Sequence, residues 1–420
     1  MYKKLKRFLQ MLGPGFITGA SDDDPSGITT YSQAGAQFGL SQLWTALFSL
    51  PFMVVMQEMC GRIGMVTGCG LAGVMRKHYG KKVVYGAVGL LLIGNTITIG
   101  ADLGAMAAAA QLLVPAPFIV LLLLLTAGIL LLEIFVSYRL YATFLKYLAL
   151  SLFAYVVSAF LVHPHWGSVV RATFVPHIAL TKEYLLNIVA ILGTTISPYL
   201  FFWQANEEVE EEIVQHKIIG MGDGVPRISA PDLKRMRWDT IIGMAFSNAI
   251  MFFIIVTAAS TLGVHGITQI ETASQAAEAL RPLAGNLTFL FFTAGIIGIG
   301  LLAVPVLAGS VSYAVSEALD WKSGLSRKLS AAHGFYGVIT IAMLVGLLVN
   351  FTHIPPFRML YYAAALNGLI APPLMFLIMR MANNKASMGG YVNSRTVNVL
   401  GWCITAVMAV CGLTFLVSLF

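Results

Sequence analysis

Charged residues are scarce in this chain. Only 11% of its 420 residues are Asp, Glu, Lys or Arg, whereas 58% are hydrophobic. Soluble domains carry roughly 25% charged residues, so the composition excludes an ordinary soluble protein. The apolar runs are continuous rather than alternating, which argues against a β-barrel. We therefore predict an all-α membrane protein that lies in the lipid bilayer. Its net charge of +7 reflects orientation rather than a nucleic-acid partner.

The chain also has few cysteines, and those it has show no paired spacing. Cys60, Cys69, Cys403 and Cys411 all lie in or near apolar segments. This pattern favours buried thiols over disulfides or a thiolate metal site. The sequence therefore gives no indication of a bound cofactor.

Eleven apolar segments are long enough to span a bilayer. Their approximate limits are 12–37, 42–67, 83–113, 117–138, 141–162, 184–206, 239–263, 284–316, 330–351, 358–381 and 397–419. With the N-terminus in the cytoplasm, all but four of the 26 basic residues fall on the cytoplasmic side. The four exceptions are Arg171, Lys182, Arg281 and Arg358. The positive-inside rule thus predicts a multi-pass inner (plasma) membrane protein with its C-terminus outside.

Two of these segments are interrupted. The first is broken at Asp24–Pro25–Ser26–Gly27 and the sixth at Ser197–Pro198. Broken helices at matching positions of two halves indicate an inverted-repeat transporter with a site near the midplane. We predict a first five-helix repeat over 1–163, a second, inverted repeat over 164–383, and an additional eleventh helix over 384–420.

Three consecutive acids, Asp22, Asp23 and Asp24, lie at the first break. A carboxylate at membrane depth costs about 3 kcal/mol or more, and it persists there only beside a cavity, a partner or a cation. No spanning segment offers a basic residue near mid-membrane, which disfavours a purely structural ion pair. Asp24 is therefore the leading candidate for a direct cation ligand. Asp22 and Asp23 project elsewhere and are candidates for an ion or proton pathway.

The breaks also release backbone oxygens. Pro25 and Gly27 should free the carbonyl near Ser21, and Pro198 should free the carbonyl of Thr194. Ser197 adds a hydroxyl beside the second break. Every candidate ligand is therefore an oxygen, which suits hard cations such as Mg²⁺, Ca²⁺ and Mn²⁺. One strong carboxylate with few other protein oxygens fits a cation that keeps several waters, as Mg²⁺ does.

The first segment resembles the first-helix signature of the NRAMP divalent-metal transporters. The resemblance rests on Gly13–Pro14–Gly15, on the break at Asp24, and on the run from Gln33 to Gly39. Ser197–Pro198–Tyr199 aligns with the family's Met-Pro-His, and Arg237, Asp239 and Asn248 also match. The resemblance covers essentially the whole chain. It implies a LeuT-like inverted repeat (5+5) with an eleventh helix, working by alternating access.

Departures from the family pattern bear on the cargo. Gly27 stands where the family has a metal-binding Asn, and Ser197 stands where it has the soft Met ligand. Tyr199 and Gln204 replace two histidines. Asn95 and Ala105 replace two glutamates of the proton path, while Asp102 is kept. These changes resemble the NRAMP-related magnesium transporters, which are thought to carry Mg²⁺ and Mn²⁺ without tight proton coupling.

The resulting site prediction has two parts. The metal would contact Asp24, Gly27, Ser21, Thr194 and Ser197. The ion or proton pathway would contain Asp22, Asp23, Asp102, Asn95, Tyr199 and Gln204. We expect a monomer that brings divalent metal ions into the cytoplasm, is weakly or not proton-coupled, and is not an enzyme.

Alternatives stay open at this point. One is a proton-coupled Mn²⁺/Fe²⁺ symporter, because Asp102 and the acid triplet are able to relay protons. Another is a Na⁺-coupled organic-solute symporter on the same fold, although the triplet would repel a substrate carboxylate. A membrane aspartyl protease would need Asp102 opposite Asp24. The run Glu207–Glu212 is interpreted as a solvated helix end rather than an ion-collecting vestibule.

Overall fold

The computed structural model describes residues 13–136, 152–352 and 354–418, and every regular element within them is helical. The basic residues before 13, together with Arg139 and Lys146, lie outside the described residues. The α-helices are, in chain order, α1 (Pro14–Asp22), α2 (Pro25–Phe38), α3 (Trp44–Thr67), α4 (Leu71–His78), α5 (Lys81–Ala110), α6 (Phe118–Phe135), α7 (Phe153–Leu161), α8 (Trp166–Phe174), α9 (Lys182–Thr195), α10 (Pro198–Val214), α11 (Ala230–Ala258), α12 (Ala273–Ala277), α13 (Arg281–Ala284), α14 (Thr288–Leu319), α15 (His333–Val349), α16 (Pro356–Ala382), α17 (Lys385–Met388) and α18 (Arg395–Ser418).

The described helices agree with the predicted spans. Eight helical stretches in the described ranges are long and apolar enough to cross a membrane, and α15 is a shorter apolar helix. The broken pair α1 and α2 accounts for the first predicted span. Half of the fifth, 141–162, lies outside the described residues, which show its second half as α7. The chain is therefore a multi-pass helical membrane protein.

Both predicted interruptions are present, with one shift. At the first, Asp23 and Asp24 leave the helical path, whereas Pro25 opens α2. The break therefore covers Asp23 and Asp24 rather than Asp24 to Gly27. The predicted break begins one residue too late and ends three residues too late. Proline is favoured at the first helical position because its missing N–H has no helical partner there. The second break follows the same rule, because Pro198 opens α10 after Ile196 and Ser197.

Each broken helix packs against a helix of the other half of the chain. Helices α1 and α2 lie against α11, while α10 lies against α3, and α9 packs on α16. The pairs α10–α1 and α9–α2 also touch, so the two breaks meet inside the bundle. Helix α5 packs against α14, α15 and α16 beside them.

The two faces of the bundle differ in charge. One, here called the basic face, carries segments 68–80, 215–229 and 320–332. They are joined by a Gly222 N–H bond to the Gly68 carbonyl (2.7 Å) and by the Arg76–Asp320 ion pair (2.6 Å). The Arg76 hydrogen bond lowers the pKa of Asp320. The opposite face, here called the far face, carries an ion pair between Arg358 and Glu271.

Helix α1 approaches α11 so closely that only glycine fits at the crossing. A β-carbon on Gly19 would overlap the backbone of Gly243, and one on Gly243 would overlap the Gly15 carbonyl. At the start of α1, the Asp239 carboxylate accepts the N–H groups of Gly13 (2.9 Å) and Gly15 (2.8 Å). A carboxylate at a helix N-terminus is favourable. The first half of the broken helix is thus fixed to α11 by contact and by charge.

We predict that Gly19→Ala destabilises the protein by about 1–3 kcal/mol, because the added methyl group separates α1 from α11. Gly89→Ala is the matched control, since no atom lies within 4 Å of a β-carbon at that helical position. Alanine there should stabilise by roughly 0.5–1 kcal/mol. Thermal melting of the detergent-solubilised variants measures both effects. Equal melting of Gly19→Ala and the wild type would contradict the close packing.

Candidate metal site

Asp24 is held by the helix that it starts. One carboxylate oxygen, Oδ1, accepts the N–H of Gly27 (2.7 Å) and the hydroxyl of Ser26 (2.6 Å). This is the usual geometry of an N-cap aspartate. The other oxygen, Oδ2, receives only a long hydrogen bond from the Tyr199 hydroxyl (3.4 Å). The side chain is 1% exposed. One oxygen of the buried carboxylate therefore caps α2, whereas the other is available to a ligand.

Tyr199 connects the two breaks. Its hydroxyl donates to the Ser21 carbonyl (2.8 Å), the oxygen that loses its helical partner because Pro25 has no N–H. The same hydroxyl reaches Asp24 Oδ2. The predicted carbonyl at Ser21 is thus released from its helix but is not free, because a phenol from α10 occupies it. A cation that used both oxygens would have to displace this hydroxyl.

The second break presents a different oxygen from the one predicted. The Thr194 carbonyl accepts the Ser197 hydroxyl (2.6 Å), and this hydroxyl also reaches the Gly193 carbonyl (2.9 Å). The expectation of a free Thr194 carbonyl is therefore wrong. Instead, the Thr194 hydroxyl makes no hydrogen bond of standard geometry and lies 3.2 Å from where a β-carbon on Gly27 would stand. The small Gly27 lets α2 and α9 meet here.

The other two acids of the triplet face a different helix. The Ser247 hydroxyl on α11 lies 2.6 Å from Asp22 Oδ2 and 3.3 Å from Asp23 Oδ1. One oxygen of each acid is buried without a hydrogen-bond partner. No ion pair within the described ranges joins a lysine or arginine to Asp22, Asp23, Asp24 or Asp102. The acids therefore remain uncompensated by basic side chains in that part of the chain.

The predicted pathway residues are not all together. Asp102 is fully buried with both oxygens unpartnered, and it lies within electrostatic range of Asp24. Asn95 instead donates to the Leu307 carbonyl (3.0 Å) and the Ser310 hydroxyl (2.7 Å) on α14. Gln204 donates to Glu208 (2.9 Å), further along α10. Asp102 thus belongs with Asp24, whereas Asn95 and Gln204 bond to other groups.

Two residues near the acids were not anticipated from the sequence. Tyr31 is fully buried and lies within electrostatic range of all three acids of the triplet. It follows Asp24 by seven residues, a spacing that returns to the same helix face and was available as a signal. Ser247 precedes Asn248, which the resemblance singled out, but nothing local indicated its contact with the triplet.

Two cavities lie on opposite faces of the bundle. On the far face, a cavity of about 250 Å³ is lined by Thr29, Gln33, Glu183 and Arg358, among others. The basic-face pocket, of about 40 Å³, lies between the starts of α1 and α11 and the end of α10, and it includes Glu212. Asp24 lines neither of them. Because Asp22, Asp23 and Asp24 are each no more than 1% exposed, the acid site is closed towards both faces in this conformation.

The acidic run of α10 is not the solvated helix end that the sequence suggested. Glu207, Glu208, Glu210 and Glu212 are each less than a tenth exposed. Glu208 and Glu212 line the basic-face pocket. The interpretation as a solvent-facing charge run is thus wrong for these four residues.

Sequence comparison gives a match to a protein-family model, described as natural resistance-associated macrophage protein-like (Nramp), over residues 15–418. The divalent metal cation transporter MntH of Ralstonia nicotianae is 29% identical to this chain and aligns over 98% of it and 91% of its own length. MntH of Bacillus subtilis is 26% identical, with coverage of 98% and 93%.

Two solved structures share the fold. A manganese transporter of Eremococcus coleocola has a TM-score of 0.74 at 16% identity, over all of this chain and 87% of its own. Mhp1, a nucleobase-cation-symport-1 family transporter, has a TM-score of 0.60 at 13% identity, with coverage of 97% and 90%. These likenesses confirm the predicted LeuT-like fold. The family match also excludes the aspartyl-protease hypothesis, since the curated relatives are transporters and not enzymes. Because the Nramp family model matches nearly the whole chain, this protein belongs to the Nramp family.

Proposed function

We propose that this protein carries divalent metal cations, with Mg²⁺ and Mn²⁺ as its preferred cargo, into the cytoplasm by alternating access. Asp24 binds the cation directly. Ser21, Gly27, Thr194 and Ser197 surround it at the two breaks, and transport is weakly or not coupled to protons. The curated MntH relatives, named as divalent metal cation transporters, support the general class of cargo.

A single observation carries the proposal. The Asp24 carboxylate is buried between two helix breaks, has one oxygen without a strong partner, and has no basic counter-ion among the described residues. A buried carboxylate requires a cation or a proton for compensation. Separate cavities lie on the two faces of the bundle, and Asp24 lines neither of them. A small rearrangement at either break would open the site to one face at a time.

The ligand chemistry supports a hard cation. Apart from the Tyr199 hydroxyl, which a cation would displace, the groups at the breaks are a carboxylate, backbone carbonyls and the Thr194 hydroxyl, all of them oxygens. Magnesium and manganese prefer such ligands, whereas thioether sulfur favours softer metals. Ser197 offers no sulfur, and its hydroxyl satisfies its own helix. We therefore place Mg²⁺ and Mn²⁺ ahead of Fe²⁺.

The orientation follows from charge. Basic residues concentrate on the face that carries 68–80, 215–229 and 320–332, which we assign to the cytoplasm under the positive-inside rule. The N-terminus then lies inside and the C-terminus outside. In this assignment the repeats 1–163 and 164–383 are inverted relative to each other, and the additional helix lies in 384–420.

Proton-coupled Mn²⁺/Fe²⁺ symport is the second candidate, and one observation favours it. Asp102 is fully buried, both its oxygens lack hydrogen bonds, and it lies within electrostatic range of Asp24, as expected of a proton carrier. A Na⁺-coupled organic-solute symporter has only the fold of Mhp1 in its favour. The acid triplet would repel the carboxylate of such a substrate.

We predict that Asp24→Asn lowers Mg²⁺ and Mn²⁺ uptake into proteoliposomes more than tenfold, because the amide keeps the shape of the cap but loses the charge that binds the cation. Asp320→Asn is the matched control, since Asp320 is an exposed carboxylate on the basic face. It should transport as the wild type does. Undiminished flux in Asp24→Asn would remove Asp24 from the site.

A pH dye in the same vesicles separates the two leading candidates. Weak coupling requires that Mn²⁺ uptake leave the internal pH nearly unchanged. Strong metal-driven acidification would favour symport instead, with Asp102 as the first residue to replace.

We predict that Ser197→Met shifts preference at least severalfold towards Mn²⁺ or Cd²⁺ over Mg²⁺, because a thioether would then stand beside the second break. Ser197→Ala is the control, as it removes the hydroxyl without adding sulfur and should not raise relative Cd²⁺ uptake. Competition of Cd²⁺ with Mg²⁺ in the flux assay measures the preference. If Ser197→Met and Ser197→Ala show the same selectivity, Ser197 does not face the ion.

A further inference from the structure

The basic-face pocket is lined by more acidic than basic side chains. Helix α10 contributes Glu208, Glu211 and Glu212, and α11 contributes Asp232 and Asp239. Glu208 and Glu212 lie four residues apart and share one helix face. All five carboxylates line a space of about 40 Å³.

The basic groups of the pocket do not balance these acids. Lys217 is an electrostatic neighbour of Glu212, but its ammonium group bonds to Asp232 (3.0 Å). Arg235 is exposed at the rim. Five carboxylates thus face two basic side chains.

Glu212 is the acid of this pocket whose carboxylate lacks a hydrogen-bond partner. It is 2% exposed, and neither of its oxygens has a hydrogen-bond partner. The other four acids have fixed partners. Asp239 binds the start of α1, and Glu208 accepts from Gln204. Asp232 pairs with Lys217, and Glu211 accepts from Gln215. Leaving a buried carboxylate without any partner is costly. A cation in the pocket would satisfy both oxygens at once.

We propose that the basic-face pocket is a second divalent-cation site, with Glu212 as its principal ligand and Glu208 beside it. Its volume suits a hard cation with about one water, since a water molecule takes up about 30 Å³. Glu212 follows the second break by fourteen residues, or about 21 Å along α10. If Asp24 binds the transported cation as proposed above, this pocket is the next binding site on the ion's path to the basic face.

The test measures Mn²⁺ binding to the purified full chain by electron paramagnetic resonance at pH 7. Asp24→Asn removes the central site, and we expect it to retain one class of bound Mn²⁺. Adding Glu212→Gln to that variant should weaken the remaining binding at least tenfold. Adding Glu208→Gln should weaken it less, and adding the surface change Asp320→Asn should leave it unchanged. Melting temperatures confirm that each variant is folded.

The outcomes distinguish this proposal from the transport function. If Asp24→Asn binds no Mn²⁺, the second site does not exist, while the central site stands. If a folded Asp24→Asn/Glu212→Gln protein binds Mn²⁺ as tightly as Asp24→Asn does, the second site is likewise overturned. If Asp24→Asn loses no binding class but Glu212→Gln does, the pocket stands and the central site fails.

Discussion

Burial of the Asp24 carboxylate between two interrupted helices is the constraint on which the rest of this structure depends. At membrane depth this group is unfavourable unless its charge is compensated. Capping of α2 satisfies only one oxygen, through Gly27 and Ser26. The other oxygen meets a single distant hydroxyl, that of Tyr199. A bound dication would neutralise the buried carboxylate and so stabilise it at this depth.

The surrounding architecture serves to bring two helix breaks together. Pro25 and Pro198 each open a helix and release a carbonyl four residues earlier, at Ser21 and Thr194. In this conformation those carbonyls are occupied by the hydroxyls of Tyr199 and Ser197. Polar side chains of the protein therefore satisfy the released oxygens while the site is closed. Exchange of the Tyr199 hydroxyl for a cation would then link ion binding to movement of α10.

The sequence predicted the spans and breaks because they depend on local chemistry. Hydrophobic length specifies a membrane helix, and proline specifies where one restarts. It did not predict that the Ser197 hydroxyl would take up the Thr194 carbonyl, or that Tyr199 would reach Ser21, 178 residues away. It also misjudged Glu207–Glu212, because a run of charges is normally solvated and only the packing of α10 against α3 and α14 encloses it. Contacts between distant segments are the part that local patterns do not contain.

The most direct test of the central claim is an experimental structure of the protein soaked with Mn²⁺, with the metal located by its anomalous scattering. The account predicts a strong peak within bonding distance of the open Asp24 oxygen, between the Ser21 carbonyl and the second break, with the Tyr199 hydroxyl displaced. A protein that transports Mn²⁺ but shows no peak there, or an Asp24 carboxylate paired with a lysine or arginine, would contradict it.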